Sequence, residues 1–136
     1  MEAISPPWTH GALLAEIYRE DSFFAVARCG SRFDEPGLPA LDLQGFVIVR
    51  RTGDDGELLQ IAVDKRVWRQ GVADMLMLEA IGFAKNSSLN SVFLEVRKSN
   101  EAAVSLYKKH GYKPVRTRKD YYSSPVEDAV VMVLLI

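Results

Sequence analysis

This chain of 136 residues contains little cysteine and little histidine, and its positive and negative charges nearly balance. Cys29 is the single cysteine and there are only two histidines, so neither a disulfide framework nor a metal site is expected. A net charge of -1 argues against a dominant role in binding nucleic acid or a membrane surface. No apolar run approaches the ~20 residues of a membrane span, and the N-terminus lacks a signal-peptide pattern. We therefore expect a cytoplasmic protein.

Apolar residues are plentiful, at 48% of the chain, which is typical of one packed domain over residues 1–136. Stretches of strand and helix periodicity alternate, which predicts an α/β domain with a mixed sheet. The predicted elements are, in order, a helix with Leu13, Leu14 and Ile17 on one face, a strand at 22–30, a loop at 30–44, a hairpin at 45–64, a helix at 71–86, a strand at Ser91–Arg97, a helix that Asn100 caps and Gly111 ends, and two strands near 113–118 and 129–135 around a loop.

The start of the long helix, in "VWRQGVADMLMLEAIGFA", contains the most informative local pattern. Gly71 and Ala73 stand where Ser, Asp or Asn would cap a helix better. The first amides of a helix have no internal partners and lie at the positive end of its dipole, so small residues there suggest an anion site, most readily for phosphate. The stretch is neither a Walker loop nor a dinucleotide fingerprint. Taken alone, it is equally compatible with small residues that only relieve crowding.

Three polar residues in predicted elements have both a structural and a chemical interpretation. Glu95 lies in the apolar strand "SVFLEVR", where a carboxylate is costly unless it is paired, for example with Arg97, or works as a base in a wet cleft. Tyr107 shares an inward stripe with Ala103, which is typical of a core aromatic. Asn100 is a simple helix cap by position. The residues alone leave these alternatives open.

Two longer segments carry a family resemblance. The order of "IAVD", "RQGVA", "LEVRKSNEAAVSLYKKHGY" and "RKDYYSSPVEDAVVM" resembles the GNAT superfamily of acetyl-CoA-dependent N-acyltransferases, from about Leu58 to the C-terminus. It is most similar to the bacterial branch that acetylates the N-terminal alanine of a ribosomal protein. The resemblance implies a mixed, mostly antiparallel twisted sheet flanked by helices. The usual first strand of that fold is missing from the pattern, which would leave a sheet edge open.

The resemblance also implies a set of site residues. Glu95 matches the family's general base and Tyr107 its general acid, while Tyr121 and Tyr122 match a pair that lines the acceptor cleft. Acetyl-CoA is the implied co-substrate, and a protein or peptide N-terminus is the implied partner, with a homodimer possible. The residues implied to hold the coenzyme are Ile61, Ala62, Val63, Arg69, Gln70, Gly71, Val72, Ala73, Asn100 and Tyr107.

Two positions near the predicted anion site depart from the family pattern. Trp68 stands where the loop motif usually begins with Gln or Arg, and Asp74 places a carboxylate beside the expected pyrophosphate, which it would repel. These departures leave open a non-catalytic coenzyme-binding module. Because one fold accepts many substrates, an acetyltransferase for small-molecule amines also stays open.

Overall fold

A computed structural model describes residues 2–3, 9–29 and 42–136 of the chain. Most of the loop predicted at 30–44 lies outside the described residues, and its last three residues begin a strand. The helices and strands are β1 (Glu2–Ala3), α1 (His10–Ile17), β2 (Ser22–Cys29), β3 (Asp42–Thr52), β4 (Asp55–Val63), α2 (Val72–Asn86), β5 (Ser91–Arg97), α3 (Glu101–Lys109), β6 (Lys113–Ser123) and β7 (Val126–Leu135).

One twisted sheet contains all the described strands, in the order β2-β3-β4-β5-β7-β6, with β1 paired to β4. Every pair is antiparallel except β4 and β5, which confirms the predicted mixed, mostly antiparallel sheet. β4 and β5 pair at only three positions, where Asp55–Glu57 lies alongside Ser91–Phe93. We call the gap beyond this pairing, between residues 58–63 and 94–97, the splay.

The hairpin of β3 and β4 contains a β-bulge in β4, at the point where the splay begins. Val49 pairs with Leu58 and Ile48 with Gln60, so Leu59 is an extra residue in β4. A bulge reverses which face the following residues present. Leu58 and Ile61 therefore both join the core, whereas Glu57 and Gln60 do not.

The core lies between the helices α2 and α3 and one face of the sheet, from β2 to β5 and β7. The predicted apolar positions Val72, Leu76 and Ala80 of α2 are buried, and Phe83 stacks on Phe23 of β2 with ring centroids 4.6 Å apart. The prediction was wrong at Met75, which is exposed. At 3.6 residues per turn, Met75 lies more than 100° around the helix from the middle of the buried stripe, which Met77 and Ala84 join instead.

The buried side of α1 is not the apolar face that the sequence predicted. Leu14 and Ile17 are exposed, whereas Glu16 is buried; the side chain of Leu13 lies outside the described part. The Glu16 carboxylate accepts hydrogen bonds from the guanidinium of Arg50 in β3 and from the hydroxyl of Ser22 at 2.9 Å. A buried carboxylate needs such partners, so polar pairing orients this helix against the sheet.

The C-terminal hairpin was only partly predicted. β6 continues to Ser123 and β7 begins at Val126, so most of the predicted loop at 119–128 is strand. An irregularity between Arg118 and Tyr122 accounts for the loop-like sequence, with Asp120 at a φ of +51°. The Asp128 carboxylate accepts a hydrogen bond from the Asp120 backbone N–H at 2.9 Å and stabilises this irregularity.

The N-terminal strand also differs from expectation. Among the described strands, β2 and β6 are the two outer ones, and β2 lies at the edge that was predicted to be open. β1 does not cover that edge, because it pairs with Ala62 and Val63 at the splay. None of the described helices is both long enough and apolar enough to span a membrane.

Candidate active site

The start of α2 has the backbone geometry of an anion site. Gly71 is the N-cap residue, with a φ of +84° and no side-chain cap, and Arg69 also has a positive φ of +61°. The first bond back to the cap comes from the Met75 amide to the Gly71 carbonyl at 3.0 Å. The three amides before Met75 therefore have no partner within the helix. Left-handed residues beside helical ones are typical of backbone concavities that bind anions.

A cavity of about 400 Å³ opens beside this helix start and reaches the start of α3. Asn100 caps α3, since its Oδ1 accepts the Ala103 amide at 3.2 Å. Of the residues predicted to hold the coenzyme, those that line the cavity are Val63, Arg69, Gly71, Val72, Ala73 and Asn100. Those that do not line it are Ile61, Ala62, Gln70 and Tyr107.

Asp74 lines the cavity, but α3 compensates its charge. The carboxylate of Asp74 lies 3.0 Å from Lys109 Nζ and 2.7 Å from His110 Nε2. These hydrogen bonds lower the pKa of Asp74. The sequence missed this pairing, because its partners are 35 and 36 positions away. The expected repulsion of a pyrophosphate is therefore reduced by the positive charge of Lys109 beside the Asp74 carboxylate.

Trp68 and β1 both form hydrogen bonds with the backbone at the C-terminal end of β4. The Trp68 indole lines the cavity and donates its Nε1–H to the Val63 carbonyl at 3.0 Å. On the splay side, Glu2 pairs with Val63 and Ala3 with Ala62. Part of the β4 edge expected to hold the pantetheine arm is thus already paired with the chain's own backbone.

The opposite side of the splay holds Glu95 and the tyrosine pair. Glu95 Oε1 lies 2.6 Å from Arg118 Nη1, and interaction with the Glu95 carboxylate raises the pKa of the Tyr121 phenol. The Arg118 guanidinium lies over the Tyr121 ring, 4.5 Å from its centroid. Tyr121 and Tyr122 meet edge to face at 5.0 Å. Sequence reasoning did not assign Arg118 a role, although the quoted segment "RKDYY" begins with it.

Arg97, the partner first considered for Glu95, bonds elsewhere. It donates to the carbonyls of Ser124 and Pro125 and to the Glu127 carboxylate, and it lies over the Tyr122 ring at 4.3 Å. Glu127 also accepts the Ser99 amide at 2.9 Å. Arg97 therefore holds the β6–β7 turn and leaves Glu95 to Arg118 and Tyr121.

Tyr107 lies in the core between the two sides. Its side chain is 2% exposed, and its ring centroid is 6.0 Å from that of Tyr112. Burial raises the pKa of the Tyr107 phenol, so the hydroxyl stays protonated at neutral pH. A protonated phenol can donate a hydrogen bond to an anion that forms beside it.

A sheet that splits between two parallel strands, with a helix start of anion-site geometry, is compatible with a coenzyme-dependent acetyltransferase. The chain belongs to the acetyltransferase (GNAT) family, whose family model matches residues 4–112. It is thus an acetyltransferase by class, and acetyl-CoA is the acetyl donor of that family. Among the described residues, no group of three or more potential ligands could hold a metal ion.

Within this family, the chain is similar to several N-terminal acetyltransferases. The chain is 34% identical over 122 residues to a [ribosomal protein bS18]-alanine N-acetyltransferase of Salmonella typhimurium, covering 88% of this chain and 81% of that protein. It is 29% identical over 130 residues to the N-alpha-acetyltransferase RimI of Mycobacterium tuberculosis, covering 93% and 74% of the two chains. The crystal structure of the ribosomal-protein-S18-alanine N-acetyltransferase from Escherichia coli superposes with a TM-score of 0.79 at 28% identity, covering 98% of this chain and 81% of that one.

Proposed function

We propose that this chain transfers the acetyl group of acetyl-CoA to the N-terminal α-amine of a protein, such as a ribosomal protein, in the cytoplasm. The observation that carries the proposal is that an anion cavity and a carboxylate with two tyrosines open on the same splay. The names of the Salmonella and Escherichia coli relatives support a protein N-terminus as the acceptor.

In the proposed complex, the backbone from Arg69 to Ala73 binds the pyrophosphate, with Asn100 at the far wall of the cavity. The pantetheine arm follows β4 into the splay and brings the thioester toward Glu95. Tyr121 and Tyr122 line the entry for the acceptor peptide. The arrangement fixes both reactants, which accounts for much of the rate enhancement in such two-substrate reactions.

The proposed chemistry is direct transfer without an acyl-enzyme. The acceptor amine gives a proton to Glu95, directly or through a water, and its nitrogen attacks the thioester carbonyl carbon. The carbon–sulfur bond breaks, and Tyr107 donates its hydroxyl hydrogen to the leaving sulfur. The phenolate then recovers a proton, so the products are an N-acetylated peptide and free coenzyme thiol.

Mass spectrometry of free-N-terminus peptides incubated with acetyl-CoA tests the function: one added acetyl group at the α-amine is expected. Glu95→Gln and Tyr107→Phe are each expected to lower kcat by about 100-fold or more, a usual contribution of acid–base catalysis, with little change in coenzyme affinity. Leu78→Ala, at an exposed position of α2, is the matched control and should behave as wild type. Wild-type turnover in both site variants would contradict the assigned roles.

Acetylation of polyamines or other small amines in preference to peptides would instead favour the small-molecule alternative. Failure of acetyl-CoA to bind at all would exclude both. Because bound ligand stabilises the native state, a thermal shift with acetyl-CoA separates loss of binding from loss of chemistry.

A further inference from the structure

Gln60 in β4 is a buried glutamine whose side chain lacks a partner for its oxygen. It is 2% exposed, and Glu16 is the other buried polar or charged residue of the described chain. Glu16 bonds Arg50 and Ser22, whereas Gln60 Oε1 has no hydrogen-bond partner among the described residues. Buried amide oxygens are nearly always paired, because an unpaired one destabilises the native state. A bound molecule that brings an N–H group would satisfy this oxygen.

The Gln60 side chain lies on the face of the sheet opposite the helices. Neither Gln60 nor its partner Ile48 in β3 belongs to the core cluster under α2 and α3, whereas Ile61 does. In β5, Leu94 belongs to the same cluster, so Glu95 after it lies on the face that carries Gln60. The amide and the proposed base are therefore on one face of the sheet.

Gln60 and Glu95 are also level with each other along their strands. The last pairing of β4 with β5 joins Glu57 to Phe93, and Glu95 follows Phe93 by two residues. Gln60 follows Glu57 by three residues, one of which is the bulged Leu59. Each side chain is thus two ladder positions beyond the last pairing. The strands there are no longer held at the ~4.8 Å spacing of a paired sheet, so a bound group can enter between them.

The surroundings of Gln60 on the β3 side are apolar. Ile48 is fully buried, and Phe24 beside it in β2 stacks on Phe46 with ring centroids 5.5 Å apart. In apolar surroundings a hydrogen bond to an amide is stronger than in water, and an unmade one is more costly. A side-chain amide accepts a hydrogen bond without taking the proton, so it can orient an amine that must give its proton elsewhere.

We propose that Gln60 is an acceptor-binding residue, and that its Oε1 accepts a hydrogen bond from the α-amine of the acceptor. The inference rests on the proposed function and deepens it. A neutral primary amine has two N–H groups and one lone pair. One hydrogen passes to Glu95 as a proton, the second stays bonded to Gln60, and the lone pair attacks the thioester carbon. The product amide keeps this second N–H, so the bond to Gln60 lasts through the transfer.

β1 gives the order in which the two substrates reach this position. It pairs with Ala62 and Val63, which follow Gln60 by two and three residues on the same strand, and only these two residue pairs hold it there. The pantetheine arm is expected to use the same β4 backbone. Coenzyme binding therefore displaces β1 and opens the splay beside Gln60 before the acceptor enters.

An acceptor without the second N–H tests this bond. Wild type and Gln60→Met are compared in kcat/KM for a peptide with an N-terminal alanine and for the same peptide with N-methylalanine. Because the bulk of the methyl group affects both proteins, the loss caused by N-methylation should be about tenfold larger in wild type than in Gln60→Met. For the alanine peptide, Gln60→Met should lower kcat/KM by about tenfold and leave KM for acetyl-CoA unchanged. Gln44→Met, at a partly buried position of β3, is the matched control and should behave as wild type.

A measurement without turnover separates a binding residue from a structural one. Gln60→Met removes a buried oxygen that has no partner, so its Tm without ligand should equal or exceed that of wild type. A Tm below wild type in both Gln60→Met and Gln60→Leu would show that the fold itself uses the amide, and would overturn the inference. An equal loss on N-methylation in wild type and Gln60→Met would overturn it as well. If wild type acetylates no peptide N-terminus, the proposed function fails instead.

Discussion

At the scale of single residues, one backbone angle decides where the first amides of α2 point. Gly71 has a φ of +84°, a conformation that costs other L-residues roughly 1–2 kcal/mol. A Cβ added there meets no atom within 4 Å, so the cost of Gly71→Ala is conformational rather than steric. We expect Gly71→Ala to lower the free energy of unfolding by about 1 kcal/mol, measured by urea denaturation.

Gly82 provides the matched control for this substitution. It lies inside α2, and a Cβ there also meets nothing within 4 Å. Because alanine is a better helix former, Gly82→Ala should raise the free energy of unfolding by roughly 0.5–1 kcal/mol. Equal effects of the two substitutions would contradict the left-handed cap at Gly71.

Residue roles were predictable from sequence where the cause is local. The cap at Asn100 and the special start of α2 follow from side-chain chemistry within one helical turn. The partners of Asp74 and Glu95 were not predictable in the same way. They come from α3 and β6, and only the folded sheet brings these elements together.

At the scale of elements, periodicity predicted β5 and both long helices almost to the residue. It failed at α1, where exposed Leu14 and Ile17 suggest an apolar face and the buried group is Glu16. It also failed at 119–128, where polar and proline residues conceal two strands. In both segments, pairing with distant residues outweighs the local pattern, as it commonly does for edge strands and polar-docked helices.

The contact between α2 and α3 gives the next prediction. Lys109 is the exposed partner of Asp74, so Lys109→Ala leaves the carboxylate less compensated at the coenzyme cavity. We expect this variant to bind acetyl-CoA several-fold more weakly, measured by calorimetry at low ionic strength. Adding Asp74→Asn to Lys109→Ala should restore most of the affinity, because the repelling charge is then gone.

Salt and a neighbouring lysine provide the controls. Lys108→Ala, at the exposed position beside Lys109 with no bond to Asp74 in the described structure, should change affinity less. The defect of Lys109→Ala should shrink at high salt, since a partly exposed charge is screened. A double variant as weak as Lys109→Ala alone would contradict repulsion by Asp74.

At the scale of the whole molecule, the sheet consists of two parts joined at a short parallel pairing. β2 to β4 form one part and β5 to β7 the other, and only three residue pairs connect β4 with β5. A fully paired sheet would have no opening between its strands. Under the proposed function, the coenzyme and the acceptor meet at the opening that this incomplete pairing leaves.

β1 lies in that opening, and it gives the last prediction. Its pairing with Ala62 and Val63 uses β4 backbone that the pantetheine arm is expected to use. Removing residues 1–3 should therefore tighten acetyl-CoA binding, by up to about tenfold, because one or two backbone hydrogen bonds at about 0.5–1.5 kcal/mol each no longer compete. Glu2→Gln keeps the backbone pairing and should leave the affinity unchanged. Calorimetry on the three proteins decides the matter: equal affinity for acetyl-CoA would mean that the arm does not pair with β4 at Ala62 and Val63, whereas weaker binding after removal would mean that β1 helps to form the site.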